Sequence, residues 1–138
     1  MAPDTTERVA RARGDLRMGV PVVLSDARGS VLVMAVETGS AARLRAMQAL
    51  GDVDLAITAR RAETLKARAY DGNLARVALP GDADMGWVQS VADPADDLMA
   101  PMKGPLVSRR DGDVGLHRLA LALCKAARLL PAALVVPL

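Results

Sequence analysis

Hydrophobic positions along the chain follow two patterns that alternate from one end to the other. In segments 5–18, 41–50, 59–69 and 114–130 the apolar residues recur three or four positions apart, which is the spacing of a helix. In segments 21–24, 30–36, 53–57, 75–79 and 132–136 they form short, nearly unbroken runs, which are typical of strands buried on both faces. The alternation predicts an α/β sandwich with helices on both faces of one sheet.

The first two strands are close enough in sequence to form a hairpin. Residues 26–29, Asp-Ala-Arg-Gly, are turn-forming types between the two apolar runs. A hairpin pairs its strands antiparallel, whereas helical connections favour parallel neighbours, so we expect a mixed sheet. Segment 80–104 is rich in Gly, Pro and Asp, and it predicts mostly loop with a short ordered piece at 87–90.

Polar residues mark where the helices begin. Side chains just before a helix can accept a backbone N–H of its first turn, and such N-cap candidates precede each of the first three helices: Asp4, Thr5 or Thr6, then Thr38 or Ser40, then Thr58. Asp113 stands in the same place before the last helix. That helix has a wide apolar face, which predicts that it packs against the sheet.

Length and composition narrow the class of protein. We expect 138 residues to form one domain, 1–138, and the apolar strand ending at Leu138 suggests a domain cut at its boundary from a longer protein. One Trp, one Tyr and no Phe leave Ala, Val, Leu and Met to build the core.

The charge and the N-terminus exclude other classes of protein. The net charge is only +2, with bases and acids interleaved, which argues against nucleic-acid binding. The N-terminus lacks a signal-peptide pattern and no run approaches about 20 apolar residues, so we expect a soluble cytoplasmic protein without membrane contact.

Two residue types occur once each and could carry chemistry. Cys124 lies in the last helical pattern, where a buried, unreactive thiol is favoured over a nucleophile, and a single cysteine excludes an internal disulfide. His117 lies near the start of the same helix. We interpret it as a surface or capping residue in preference to a metal ligand, because a metal site needs several converging ligands.

Two charged groups leave alternatives open. Asp93, Asp96 and Asp97 form a carboxylate cluster, but beside a proline such residues more commonly form turns and cap helices. Arg109 and Arg110 could grip a phosphate, although a solvated pair before a turn needs no such role. No phosphate-binding loop of the GxxxxGK[ST] type occurs in the sequence.

Several segments, taken in order, resemble the 3,4-dihydroxy-2-butanone 4-phosphate synthase family of riboflavin biosynthesis. GVPVVLSD at 19–26 and LVMAVE at 32–37 resemble its first two strands, and the late VADP and DL pieces at 91–98 resemble its ADP…DL stretch. Further matches lie at 55–58, 61–65 and 103–107, and in the closing helix and strand at 119–138 with their joining Pro-Ala-Ala. The resemblance covers most of the chain and implies a shortened version of that fold.

The positions that carry the family's chemistry differ here. The family's hairpin holds an RENEGD loop whose acids bind divalent metal and move protons, whereas this hairpin has only Asp-Ala-Arg-Gly-Ser at 26–30. Leu116 stands where the GHTE motif places a metal-binding histidine, and Pro137 stands where the closing strand has a glutamate. The resemblance therefore transfers no catalytic residue, no metal ligand and no cofactor to this chain.

The leading hypothesis is a degenerate, non-catalytic synthase-like domain of the kind found ahead of GTP cyclohydrolase II in some bacterial riboflavin-biosynthesis proteins. The chain alone would then not be an enzyme, although a full-length parent would be a GTP cyclohydrolase II. The resemblance implies a scaffolding role, a homodimer and a covalently linked cyclohydrolase domain as partner.

Two alternatives remain. A regulatory module could bind a sugar phosphate or nucleotide through Arg28, Arg109 and Arg110 without performing chemistry. An active synthase would need acids from elsewhere, such as Glu37, Asp82 and Asp84, to replace the lost loop.

Overall fold

The computed structural model describes residues 4–70, 72–97, 106–110 and 112–138. The helices of this part of the chain are α1 Thr5–Arg17, α2 Ala41–Leu50, α3 Ala59–Thr64, α4 Met85–Ala92 and α5 Gly115–Ala126, with a short 3₁₀ turn at Pro94–Asp96. Its strands are β1 Val22–Asp26, β2 Gly29–Ala35, β3 Asp54–Thr58, β4 Leu74–Ala78, β5 Ser108–Arg109 and β6 Ala132–Pro137. No helix in the described ranges is long and apolar enough to cross a membrane.

The six strands form one sheet in the order β1-β2-β6-β3-β4-β5. Each of the five described pairings is antiparallel, so the sheet departs from the mixed pairing that we expected. The physical reason is the position of β6. Strands β2 and β3, which α2 connects, do run parallel to each other, but β6 lies between them and pairs antiparallel with both.

Helices cover both faces of the sheet, as the sequence predicts. On one face α1 and α5 pack on a cluster that includes Leu16, Val33 and Cys124. On the other face α2, α3 and α4 cover a larger cluster that includes Met34 and Leu134. Because alternate strand residues point to opposite faces, the unbroken apolar runs supply both clusters at once. The core of the described chain consists of aliphatic and Met side chains with Cys124.

Three of the predicted caps form. Asp4, Ser40 and Thr58 each accept the backbone N–H three residues later. The cap predicted at Asp113 is wrong: α5 begins after Val114, without a side-chain cap. Asp113 lies 3.3 Å from the Arg28 guanidinium instead and keeps only a long 3.4 Å contact to the Gly115 N–H.

The structure changes three other boundaries. Helix α3 ends at Thr64, because the chain turns left-handed at Lys66 and Ala67 donates back to the Ala62 carbonyl, the closing pattern of a Schellman motif. Helix α4 occupies 85–92, which contains the short ordered piece expected at 87–90 and extends it within a segment predicted to be mostly loop. Strand β5 was not predicted, since two residues are too short to leave a pattern. Residues 98–105 lie outside the described part.

Candidate functional site

A cavity of about 170 Å³ lies between the β1–β2 hairpin and the start of α5. This hairpin cavity is lined by Asp26, Arg28, Gly29, Ser30, Val31, Asp113, Leu116 and His117. Asp26 holds the hairpin turn, because its Oδ1 accepts the N–H groups of Arg28 at 2.8 Å and Gly29 at 3.2 Å. At the rim, Arg28 forms an exposed ion pair with Asp113. Both carboxylates among the described lining residues therefore already have partners in the protein.

Three hydrogen-bonded polar side chains, two of them buried, connect the edge of the sheet to this cavity. Asp54 begins β3, Arg109 lies on the edge strand β5, and His117 lies in the first turn of α5. Arg109 Nε donates to Asp54 Oδ1, and Asp54 Oδ2 lies 3.2 Å from His117 Nε2. The side chains of Asp54 and His117 are each only 9% exposed, while that of Arg109 is about a third exposed. This Arg109–Asp54–His117 chain joins three elements across the α5 face of the sheet.

The ionisation of Asp54 determines which partner donates in its hydrogen bond with His117. Burial opposes ionisation of Asp54, but hydrogen bonds from His117 and Arg109, with their charges, lower its pKa below the ordinary value of 3.8. An ionised carboxylate only accepts hydrogen bonds, so the proton of the shared bond belongs to His117 Nε2. In the neutral imidazole, Nδ1 then carries a free lone pair.

This second ring nitrogen is the open group of the site. His117 Nδ1 is buried and has no hydrogen-bond partner among the described residues. A buried polar atom without a partner is costly, and in native proteins it commonly marks a water, an ion or a ligand position. Because His117 lines the hairpin cavity, its Nδ1 is a candidate acceptor for a ligand there.

The structure corrects our interpretation of His117 as a surface or capping residue. The residue is 7% exposed and bonds to a strand 63 positions earlier. A sequence signal was present: Ala120, Leu121 and Cys124 lie three, four and seven residues further on, which places His117 on the buried face of α5. Asp54 gave a weaker signal, as one acid inside an apolar strand.

The three arginines predicted to bind a ligand lie in different settings. Arg28 lines the hairpin cavity and pairs with Asp113. Arg109 bonds to Asp54 and so reaches the cavity only through His117. Arg110 stacks on Tyr70, with its guanidinium carbon 5.0 Å from the ring centroid. A joint role of the three in ligand binding stays a prediction.

Acids that might replace the missing loop lie away from the cavity. Glu37 follows the opposite end of β2, where its Oε1 accepts the Leu130 N–H at 3.1 Å. Asp84 caps α4 by accepting the Trp87 N–H at 2.8 Å. Asp82 lines a separate cavity beside α2. Strand β2 separates Glu37 from the hairpin, so it cannot take part in chemistry there.

At the opposite end of the sheet, Arg61 binds the segment that follows α4. Its guanidinium makes a two-pronged contact with the Asp97 carboxylate, at 2.7 and 2.8 Å, and Nε donates to the Val91 carbonyl at 2.8 Å. Longer bonds reach the carbonyls of Ser90 and Asp93. The Arg61 side chain is 9% exposed. We call this arrangement the Arg61 clamp.

Two of the three aspartates at 93–97 have structural roles, one in a turn and one in the Arg61 clamp. Asp93 caps the 3₁₀ turn by accepting the Ala95 N–H at 3.0 Å, which confirms its interpretation as a capping residue. Asp97 is instead the partner of Arg61. The side chain of Asp96 lies outside the described part of the structure.

The donors at the hairpin cavity do not fit a divalent cation. Asp26 is engaged in the turn, Asp113 in the ion pair, and His117 presents one nitrogen, whereas such cations take several oxygen ligands. Among the described residues no three His, Cys, Asp or Glu side chains are grouped to hold a metal. Cys124 is fully buried, and burial raises the pKa of its thiol to about 11, as expected for an unreactive cysteine.

Comparisons with known proteins yield similarity in structure alone. No protein-family model matches the sequence, and a search of curated proteins finds no match. Solved structures match with high probability, over nearly the whole described fold.

Three of these structures are 3,4-dihydroxy-2-butanone 4-phosphate synthases. RibBX, a two-domain synthase from A. baumannii, is 15% identical with a TM-score of 0.68, covering 94% of this chain and 47% of its own. The Candida albicans synthase is 14% identical with a TM-score of 0.65, covering 92% of this chain and 77% of its own. A synthase in a cation-free form is 16% identical with a TM-score of 0.68, covering 94% and 74%. This chain thus spans about half the length of the two-domain protein, and it has the fold of the 3,4-dihydroxy-2-butanone 4-phosphate synthase family.

Proposed function

We propose that this chain is a degenerate, non-catalytic synthase-like domain of a cytoplasmic riboflavin-biosynthesis protein, with a scaffolding and dimerisation role. One observation carries the proposal: the carboxylates at the hairpin cavity serve the protein's own structure. Asp26 accepts two backbone N–H groups of the turn, and Asp113 pairs with Arg28. Both acids of the cavity are thus engaged in contacts within the protein.

The chemistry of a synthase would require those acids to be available. General acid–base catalysis needs a group that exchanges protons within hydrogen-bonding reach of the substrate. Asp26 Oδ1 accepts two backbone N–H groups of the turn and the Asp113 carboxylate faces Arg28, so both are directed at partners within the protein and not at a substrate. Arg28 also adds positive charge at the hairpin, where the resemblance implies the metal-binding loop of the family. These features support loss of the reaction.

The first prediction is therefore an absence of turnover. The purified chain with magnesium and ribulose 5-phosphate should form no dihydroxybutanone phosphate above the rate without protein. The measurement is product formation over hours, followed by chromatography or by trapping the ketone. An active synthase assayed alongside is the positive control. Product formation that disappears in an Asp26→Asn variant would contradict the proposal, because it would assign a catalytic role to the turn carboxylate.

A linked second domain is part of the same proposal. The two-domain synthase from A. baumannii is similar over 94% of this chain but has about twice its length. A domain of this fold can thus occur in a two-domain chain. We propose GTP cyclohydrolase II as the linked domain here, with this half serving assembly.

A second candidate function is ligand binding without chemistry. His117, whose Nδ1 has no partner among the described residues, and the exposed Arg28 both line the hairpin cavity. Nδ1 can accept a hydrogen bond from a ligand hydroxyl, while Arg28 can exchange Asp113 for a ligand phosphate. A sugar phosphate or nucleotide carries both groups.

A thermal-shift screen tests this candidate. If ribulose 5-phosphate or GTP binds, a hundredfold excess over its dissociation constant should stabilise the fold by about 2–3 kcal/mol. The Arg28→Ala variant should lose most of this stabilisation, because it removes the cation at the cavity rim. Arg13→Ala, an exposed arginine on α1, is the matched control and should keep it. A shift that is equal in all three proteins would reveal binding elsewhere, and no shift for either ligand would leave the scaffold as the better proposal.

A further inference from the structure

A second cavity, of about 280 Å³, lies at the end of the sheet opposite the hairpin. Three connections meet there: the junction of β3 with α3, the end of α4, and the link between α5 and β6. We call it the clamp cavity, because Arg61 lines it. It shares no described lining residue with the hairpin cavity, and none of its described lining residues is acidic. A ligand in this cavity would therefore contact a surface without negative charge.

The walls of the clamp cavity are fixed by hydrogen bonds within the protein. One wall is the end of α4 and the turn after it, which the Arg61 clamp holds in place. Another wall includes Leu130, whose N–H donates to Glu37 Oε1 at 3.1 Å and whose carbonyl accepts the Ala132 N–H at 2.8 Å. A cavity with fixed walls needs little ordering when a ligand enters, so less of the binding free energy is lost.

Two polar side chains at the cavity have hydrogen-bonding capacity that the protein does not use. Arg60 is exposed, and its guanidinium has no hydrogen-bond or ion-pair partner within the described ranges. Thr58 Oγ1 accepts the Arg61 N–H at 3.1 Å, which leaves the hydroxyl hydrogen available for donation. The Thr64 hydroxyl, in contrast, already donates to the Arg60 carbonyl at 3.2 Å. The cavity thus presents one unpaired positive charge and one further donor.

We propose that the clamp cavity binds a small organic monoanion, a monocarboxylate with an apolar body. The guanidinium of Arg60 can hold the carboxylate in a two-pronged contact, and the Thr58 hydroxyl can donate a further bond to it. One guanidinium balances a single negative charge, so a carboxylate fits better than a phosphate dianion. The body of the ligand would lie against the apolar part of the lining, which consists of Ala92, Pro94, Leu130 and Pro131.

The volume of the cavity limits the size of the ligand. An engineered apolar cavity of about 150 Å³ holds a benzene molecule, and the clamp cavity has nearly twice that volume. A body of about six to eight carbons therefore fits, with its carboxylate at the exposed Arg60. The inference goes beyond the functions proposed above and depends on neither, because it concerns the opposite end of the sheet.

Acidic side chains near the cavity define the competing ligand. Leu130 also lines a neighbouring cavity that contains Glu37 and Asp93. Both carboxylates are engaged, since Glu37 accepts the Leu130 N–H and Asp93 caps the turn after α4. An amine with the same apolar body should therefore bind more weakly than the carboxylate, and this comparison tests the sign of the charge that the cavity selects.

A titration of the full chain, followed by ¹H–¹⁵N correlation spectra at constant ionic strength, tests the proposal. The probes are hexanoate, 1-hexanol and hexylammonium, which share one apolar body, and acetate, which keeps the charge without the body. Hexanoate should shift the amides around the cavity, at 58–64, 92–95 and 130, with a dissociation constant of about millimolar order, as expected for so small a ligand. Hexanol should bind about fivefold more weakly, because it lacks the charge-assisted contact.

Two variants and a control identify the site. Arg60→Ala should lower the affinity for hexanoate to that for hexanol and leave the hexanol affinity unchanged, which loss of structure alone would not do. Arg13→Ala, an exposed arginine on α1, is the matched control and should keep the wild-type preference. Thr64→Phe places a ring at an exposed lining position, so it should block both ligands. The dispersion of the same spectra shows whether each variant is folded.

Four results would overturn the proposal. They are the absence of saturable shifts with hexanoate up to about 20 mM, well above the expected constant; shifts confined to amides of the hairpin cavity; hexylammonium binding as tightly as hexanoate; and an Arg60→Ala variant that keeps its full affinity for hexanoate. Acetate that shifts the same amides as strongly as hexanoate would equally refute it, because the apolar wall would then contribute nothing.

Discussion

Replacing Asp54 by alanine should lower the free energy of unfolding by about 3 kcal/mol, the low end of the loss seen when one partner of a buried ion pair is removed. The substitution leaves His117 buried with both ring nitrogens unpaired and leaves Arg109 without its carboxylate. The low end applies because the Arg109 side chain is about a third exposed and water can partly replace Asp54. Urea denaturation followed by circular dichroism measures the change.

Asp113→Ala is the matched control for this substitution. It also removes a carboxylate from an ion pair, but Arg28 and Asp113 are 75% and 40% exposed, so the loss should stay below about 1 kcal/mol. Equal losses for the two variants would show that the Arg109–Asp54–His117 chain adds nothing beyond a surface pair.

The stabilising effect of Asp54 should also depend on pH in a defined direction. Since the pKa of Asp54 is lowered in the folded state, its ionised form stabilises the fold above the ordinary value of 3.8. That contribution is lost as the pH falls through the lower, folded-state pKa. The difference between wild type and Asp54→Ala should therefore persist at pH 5 and shrink towards pH 3.

Replacing Arg61 by lysine should destabilise the protein by about 2 kcal/mol, although the charge is kept. Lysine cannot make the two-pronged contact with Asp97 and reach the Val91 carbonyl at the same time, because its ammonium is one point donor on a flexible stem. The carbonyls at the end of α4 would lose their donor. Denaturation gives the free energy, and hydrogen exchange should show faster exchange of backbone amides at 93–97.

Arg60→Lys is the control for the clamp. The neighbouring arginine is exposed, so the same chemical change there should alter stability by no more than about 0.5 kcal/mol. An Arg61→Lys variant as stable as Arg60→Lys would mean that the charge of Arg61, and not its fork geometry, holds the turn after α4.

The two clusters of side chains lie at opposite ends of the sheet and differ in origin. Arg61 belongs to the RAETL segment in which the sequence resembles the synthases, and its role is structural. Asp54 and His117 lie in segments where the resemblance transfers no function. The resemblance therefore includes the residue of the Arg61 clamp but does not extend to the pairing of Asp54 with His117.

The elements were largely predictable, because each is specified by neighbours in sequence. The periodicity of α5 follows from residues three and four apart, and the caps at Asp4, Ser40 and Thr58 act within one helical turn. The apolar runs of β2, β3 and β6 predicted strands buried on both faces. Where local signals competed, as at Asp113, the distant partner Arg28 determined the outcome.

The sequence by itself thus determined the helices, the strands, the two-sided burial of the sheet and the lack of an acidic hairpin loop. Only the tertiary structure decided that β6 lies between β2 and β3 and that Asp54 meets both His117 and Arg109. The physical reason is the sequence separation of the residues that make each contact. Periodicity and capping arise from contacts within a few residues. In contrast, the pairing of β2 with β6 joins Val31 to Pro137, and the buried ion pair joins Asp54 to His117, 63 residues apart, and a single sequence carries no local signal for either.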